Sequence, residues 1–198
     1  SCLVGSEMCI RDRYIVAEDL VESLASVPAG RPGESGTLGP FEKVATVAGA
    51  DLVGSTYECP WMLPTEERFL MNAPFVTTDA GTGIVHMAPA HGQEDYEVWR
   101  DAGFLKKYGL KSPVDALGRL VTNASWGLND VIRADVARLH GLEALGDGTE
   151  RLLQLLDAHS VLLSERPYVH SYPIDWRTKK PILTRATAQW FADLRQSQ

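Results

Sequence analysis

The residues best equipped for chemistry fall in one run, Gly81-Thr82-Gly83-Ile84-Val85-His86-Met87-Ala88-Pro89-Ala90-His91-Gly92-Gln93-Glu94-Asp95-Tyr96. Gly81 and Gly83 allow close backbone approach. His86 precedes a break at Pro89, and Glu94 and Asp95 fall where a helix should start. A strand end facing a helix N-terminus makes a concave polar spot. The run is not a phosphate loop, because the Walker Gly-Lys pair and the third glycine of the dinucleotide fingerprint are both missing. Two rival readings stay open. His86, His91 and Asp95 could ligate a metal, although their spacing matches no zinc pattern. Glu94 and Asp95 could serve only the helix dipole. His91, set between Pro89 and Gly92, reads more readily as a hydrogen-bonding turn residue than as a catalyst.

These residues need elements to hold them. Phe75 to Thr78 and the β-branched stretch Thr82 to Met87 predict strands around a turn at Asp79-Ala80-Gly81. Gln93 to Ala102 predicts a helix stopped by Gly103, with Tyr96 and Trp99 on one face. Upstream, Tyr14 to Val16 reads as a strand end, and Glu18 to Leu24 as a short helix with acids at its positive end. Pro28 to Pro40 is a Gly/Pro surface loop with no means of building a core. Phe41 to Val47 alternates as a half-buried strand does, and Leu52 to Glu58 follows as a second strand after a turn at 49–51. Pro60 to Asn72 is irregular. Downstream, Ala116-Leu117-Gly118 suggests a hairpin turn. Val131 to His140 is helical, with Ile132, Val136 and Leu139 at i, i+4 and i+7 and Gly141 ending it. Thr149 to Ala158 is a further helix that buries Leu152, Leu153, Leu155 and Leu156, and Glu165 to Tyr172 returns to strand. Short strands mixed with three or four helices, without βαβ alternation, predict an α+β fold.

The composition narrows the classes. A chain of 198 residues, 44% apolar and 23% charged, allows one domain or one plus part of another. No apolar run approaches the ~20 residues of a membrane span, so no membrane partner is expected. Lys and Arg number 19 against 26 Asp and Glu, a net charge of −7. Such a chain is a poor stand-alone nucleic-acid binder, and any such contact must be local or shared with another surface. Its basic cluster is Arg177, Lys179, Lys180 and Arg185, either a solvated face or a local contact. Three cysteines without paired spacing exclude a disulfide scaffold and a Cys-only zinc site. Ser1 to Arg13 has no helical or strand period. Its Glu7-Met8-Cys9-Ile10-Arg11-Asp12 resembles the translated mosaic end of a transposase-based sequencing adapter. Residues 1–13 are therefore set aside as artefactual and expected to be disordered, which leaves Cys59 as the remaining cysteine.

The run from Gly81 to Tyr96 resembles the signature of the editing insertion in the isoleucyl-tRNA synthetase family. The tail resembles the same family in His170-Ser171-Tyr172-Pro173, Trp176-Arg177, Pro181-Ile182, Arg185-Ala186-Thr187 and Gln189-Trp190-Phe191. So does Ile15 to Ser23. The resemblance spans 14–198. Valyl and leucyl relatives share Gly-Thr-Gly and Pro-Ala-His, but usually lack the combination of His86, Ala88-Pro89, His91-Gly92 and the His-Ser-Tyr-Pro segment.

What the resemblance implies is concrete. The fold would be a β-barrel-like editing domain over 14–163 with flanking helices, and 164–198 would begin the return to a Rossmann-type catalytic domain. The parent would join isoleucine to its tRNA with ATP and Mg2+, whereas this stretch would need no cofactor and no metal. It would hydrolyse valine wrongly esterified to the isoleucine tRNA. An apolar pocket discriminates one methylene by only about 1–3 kcal/mol, a figure whose standard instance is isoleucine against valine. Asp95 would hold the substrate's α-ammonium, and His86 would line the side-chain pocket. These two are the catalytic and substrate-binding candidates, with Gly83, His91 and Trp190 as further candidates for substrate contact. Trp190 could equally be a packing residue. A threonine-rich strand that serves the reaction in the family has no counterpart here, and neither have its His-Ile-Gly-His and Lys-Met-Ser-Lys-Ser motifs, so this stretch alone is expected to be inactive. The partners would be the tRNA acceptor end, valine and isoleucine, with no DNA. The enzyme would be a monomer in the cytoplasm or the mitochondrial matrix. The alternatives are the valyl enzyme's equivalent, clearing threonine, a non-catalytic tRNA-docking module, and last a stand-alone metal hydrolase.

Overall fold

The computed structural model of the chain describes residues 13–58, 68–79, 81–122, 130–167, 169–190 and 192. The readings made on residues 1–12, Cys59, 60–67, Ala80 and Phe191 lie outside them. A 3-10 turn, Glu18–Leu20, runs into α1 (Val21–Ala25). It is followed by α2 (Gly49–Leu52), α3 (Gln93–Asp101), α4 (Phe104–Tyr108), α5 (Asp130–Ala137) and α6 (Asp147–Ala158). The chain divides into two compact units, Ser1–His86 with Pro113–Tyr172, and Met87–Ser112 with Pro173–Gln198.

The first unit is centred on Ile132, Val136 and Leu139 packed against Leu155, with Leu120 and Leu152 partly buried beside them. Helical period puts Ile132 and Val136 on one side of α5, and Leu139 continues that side in the turn beyond it. Leu152 and Leu155 lie three apart on α6 and so share a face. Gly148 lets α6 approach: a Cβ there would stand 2.6 Å from the Glu143 carbonyl oxygen and 2.8 Å from Leu120 Cδ1. The turn at 115–118 forms because Asp115 Oδ1 accepts from the backbone N–H groups of Leu117 (2.8 Å) and Arg119 (2.9 Å). Gly118 supplies the positive φ there, +75°.

The Gly/Pro loop is more organised than its composition suggests. Ala29 N–H donates to the Gly36 carbonyl at 3.1 Å, and Leu38 N–H to Val27 at 2.9 Å. Gly30 pairs in both directions with the stretch after α6, donating to Leu163 (2.9 Å) and accepting from Glu165 (2.8 Å). Arg31 then reaches Glu150 at 2.9 Å and Glu165 at 3.0 Å. Surface ion pairs stabilise little one by one. Here one guanidinium ties the loop to α6 and to the segment beyond it.

In the second unit α3 ends before Gly103, whose φ of +78° turns the chain into α4. The Trp99 ring packs on Phe104 (5.1 Å between centroids) and Tyr108 (5.9 Å), and its indole N–H donates to the Gly109 carbonyl at 3.0 Å. Pro173 to Ile182 makes a tight reversal with a bridge between Ile174 and Pro181.

The expected α+β fold with a β-barrel-like domain is overturned. The described part contains no β-strand and is 28% helical. Pairing stops at isolated bridges, such as Pro28 with Thr37, Thr56 with Phe69 and Val114 with Leu120. A strand exists only where a neighbour supplies a ladder, and β-branched residues report fit to a pleated surface rather than the presence of that neighbour. Phe41 to Val47 is expected to be a half-buried strand, yet Val44 and Val47 are exposed. At Thr82 to Met87, the positive φ of Gly81 (+65°) and Gly83 (+76°) breaks the extended path at its start, and Ile84 and Val85 face solvent. A hydrogen bond links it to the N-terminal segment, from Ala17 N–H to the Thr82 carbonyl at 2.8 Å. Leu52 closes α2 rather than opening a strand, Phe75 falls in a turn, and the described residues within 165–172 form no strand. Among the described residues no helix is long and apolar enough to cross a membrane.

Candidate functional site

Asp95 is the third residue of α3. The helix starts at Gly92, whose backbone is extended (φ −96°, ψ 132°) and which has no side chain to cap the free N–H groups. A tight turn precedes it: the N–H groups of His91 (2.8 Å) and Gly92 (2.9 Å) both donate to the Ala88 carbonyl. Asp95 reaches back across this turn, and its Oδ2 accepts from Ala88 N–H at 2.9 Å. The reach explains why position 92 is glycine. A Cβ there would stand 2.6 Å from Asp95 Oδ2 and 2.9 Å from Cγ. Among the described residues no hydrogen bond engages Oδ1. Gly92, Gln93, Glu94 and Asp95 line an open hollow of about 480 Å3. Two carboxylates on so few lining residues suit it to a cation carrying N–H donors.

His91 is bound at both ring nitrogens. Nδ1 lies 2.9 Å from the Thr184 carbonyl oxygen and Nε2 lies 3.2 Å from Ser112 Oγ. The side chain therefore works over long sequence distance, not within its own turn. Arg185 Nε–H in turn donates to Ser112 Oγ at 3.4 Å, and Ala186 N–H donates to the buried Ala90 carbonyl at 2.8 Å. Sequence reasoning missed Ser112 and Thr184 altogether. Neither belongs to a recognisable motif, and Thr184 lies far along the chain from the histidine it holds.

The other candidates have surroundings of their own. His86 belongs to the first unit, is exposed, and has no hydrogen bond among the described residues. Gly83 also lies in the first unit, with its Cα against Ala17: a Cβ would stand 2.5 Å from Ala17 Cβ. Its glycine requirement is thus met by packing and by its φ of +76°. Trp190, in the second unit, is fully exposed. Among the described residues no three His, Cys, Asp or Glu side chains gather to hold a metal ion.

The basic cluster divides. Lys179 takes a left-handed backbone, φ +57°, in a turn organised by Asp175. The Asp175 carboxylate accepts from the Thr178 hydroxyl (2.6 Å), Thr178 N–H (2.9 Å) and Arg177 N–H (3.3 Å). These bonds, the Thr178 hydroxyl first, hold Asp175 below the usual carboxylate range. The Arg177 guanidinium stacks 4.8 Å from the Trp176 ring centroid.

No protein-family model matches the chain. Curated relatives do. The chain is similar to isoleucine–tRNA ligase of Gloeothece citriformis, 38% identical over 192 residues, 96% of this chain and 17% of the relative. It is 43% identical over 189 residues to the Thermosynechococcus vestitus ligase, covering 92% of this chain and 17% of the relative. For the Nostoc punctiforme ligase the identity is 41% over 183 residues, 91% of this chain and 16% of the relative. The chain thus spans about 17% of the length of the curated relatives it matches, and over that stretch it belongs to the isoleucyl-tRNA synthetase family.

Proposed function

We propose that this segment removes valine wrongly attached to the isoleucine tRNA, within an enzyme that charges that tRNA with isoleucine using ATP and Mg2+. The observation that carries the reading is the Asp95 carboxylate. One oxygen is fixed by the Ala88 N–H at 2.9 Å, and the carboxylate lines an acidic hollow. A carboxylate held in this way has little freedom left to lose on binding, so a substrate ammonium meets a pre-oriented acceptor. His86 takes the second role, sensing side-chain size, on the strength of the motif that carries it. The ester's carbonyl and the attacking water are positioned by groups outside this stretch, so the chain alone leaves Val-tRNA(Ile) intact. The named relatives are cyanobacterial isoleucine–tRNA ligases, which favours isoleucine over valine specificity and a cytoplasmic enzyme over a mitochondrial one.

The test uses the full-length ligase carrying this segment. Asp95→Ala should let Val-tRNA(Ile) accumulate while isoleucine charging persists, and unchanged clearance removes the assignment. His86→Ala tests the second role by itself: the ratio of Val-tRNA to Ile-tRNA deacylation should fall, and an unaltered ratio ends it.

A further inference from the structure

We propose that His91 is a positioning residue for Asp95, locked in one tautomer by Ser112, Arg185 and the Thr184 carbonyl, and that it joins the carboxylate's turn to the segment 184–186. The proposal rests on the assignment of Asp95 made above. Its own basis is a chain of contacts within one compact unit.

The directions of the bonds follow from the chemistry of the groups. The Thr184 carbonyl can only accept, so His91 Nδ1, 2.9 Å away, carries the proton. In the neutral ring Nε2 then offers a lone pair, and Ser112 Oγ–H donates to it across 3.2 Å. The serine oxygen keeps a lone pair for the Arg185 Nε–H at 3.4 Å. Each donor meets an acceptor, and the imidazole cannot flip without breaking two bonds. The backbone repeats the link beside it, where Ala186 N–H meets the buried Ala90 carbonyl. Ala90 and His91 belong to the turn whose Ala88 carbonyl accepts from His91 and Gly92, and whose Ala88 N–H holds Asp95. A shift of 184–186 therefore moves the atom that aims the carboxylate. His91 itself touches no substrate; it acts through the turn.

The experiment uses the full-length ligase, with deacylation of Val-tRNA(Ile) as the readout. Ser112→Ala removes the hydroxyl and leaves the imidazole in place, avoiding the packing loss of His91→Ala. It should lower kcat about tenfold with KM unchanged, the signature of a misaimed group rather than a lost binding contact. Ser112→Thr keeps the hydroxyl and should restore most of the rate. Asp95→Ala is run beside them. If Asp95→Ala stops clearance while Ser112→Ala clears normally, the relay is overturned and the function stands. The relay is likewise overturned if Ser112→Thr is as slow as Ser112→Ala. If Asp95→Ala clears normally, the function fails and the relay has nothing to position.

Discussion

At Gly92 the absence of one methyl group decides where a carboxylate can sit. Gly92→Ala would force Asp95 Oδ2 off the Ala88 N–H, because the added carbon falls 2.6 Å from it. The expected outcome in the full-length ligase is a loss of up to about a hundredfold in Val-tRNA(Ile) clearance, since an ångström-scale misplacement carries penalties of that order. Hydrogen exchange at the Ala88 amide should rise in the same variant, and an unchanged amide would show that the carboxylate found room. Asp175 makes a prediction in pH. Its folded-state pKa is depressed by the bonds from Thr178 and Arg177. The stabilisation it gives is thus complete above the ordinary carboxylate range and is lost as pH falls through the lowered value. Amide exchange at Arg177 and Thr178 should stay slow at neutral pH and quicken on acidification. Asp175→Asn, which keeps an acceptor but cannot titrate in this range, should remove that acid dependence.

At the scale of elements, helical period carried the most information. Ile132, Val136 and Leu139 at i, i+4 and i+7 lie in the first unit's core, and Ile132 is 2% exposed there. Ile132→Ala should lower unfolding stability by about 3 kcal/mol, in the range for opening a cavity of that kind, measured by urea denaturation. The stop at Gly103 and the aromatic face of α3 were legible for the same reason, whereas α4 was not foreseen: its five residues, Phe104–Tyr108, are too few to show a period. The strands were the systematic miss. Alternation at Phe41 to Val47 and β-branching at Thr82 to Val85 are properties of one segment, but a ladder is a property of two. Of the candidate site, the helix start and its first-turn acids could be read from local spacing, whereas the role given to Asp95 came from the family resemblance. The hold of Thr184 and Ser112 on His91 could not be read, because nothing in either neighbourhood signals a partner so distant in sequence.

At the scale of the whole molecule, each compact unit is assembled from two separated stretches of chain. Deleting 173–198 should leave the urea midpoint of the Ile132 cluster in place, because among the described residues that cluster draws on α5, Leu139 just beyond it, α6 and Leu120. The same deletion takes the Thr184 carbonyl from His91 and should raise amide exchange across Ala88 to Gly92 about tenfold, as local opening becomes easier. A lower midpoint with unchanged exchange would reverse the assignment of these contacts. The bond between His91 and Thr184 spans 93 positions, and a polypeptide leaves the ribosome in order. At roughly 5–20 residues per second, the turn that aims Asp95 emerges about 5–20 s before the stretch that clamps it. During that interval the nascent carboxylate is present but its turn is not yet clamped, so the geometry around Asp95 in each new molecule is completed late in the synthesis of this region.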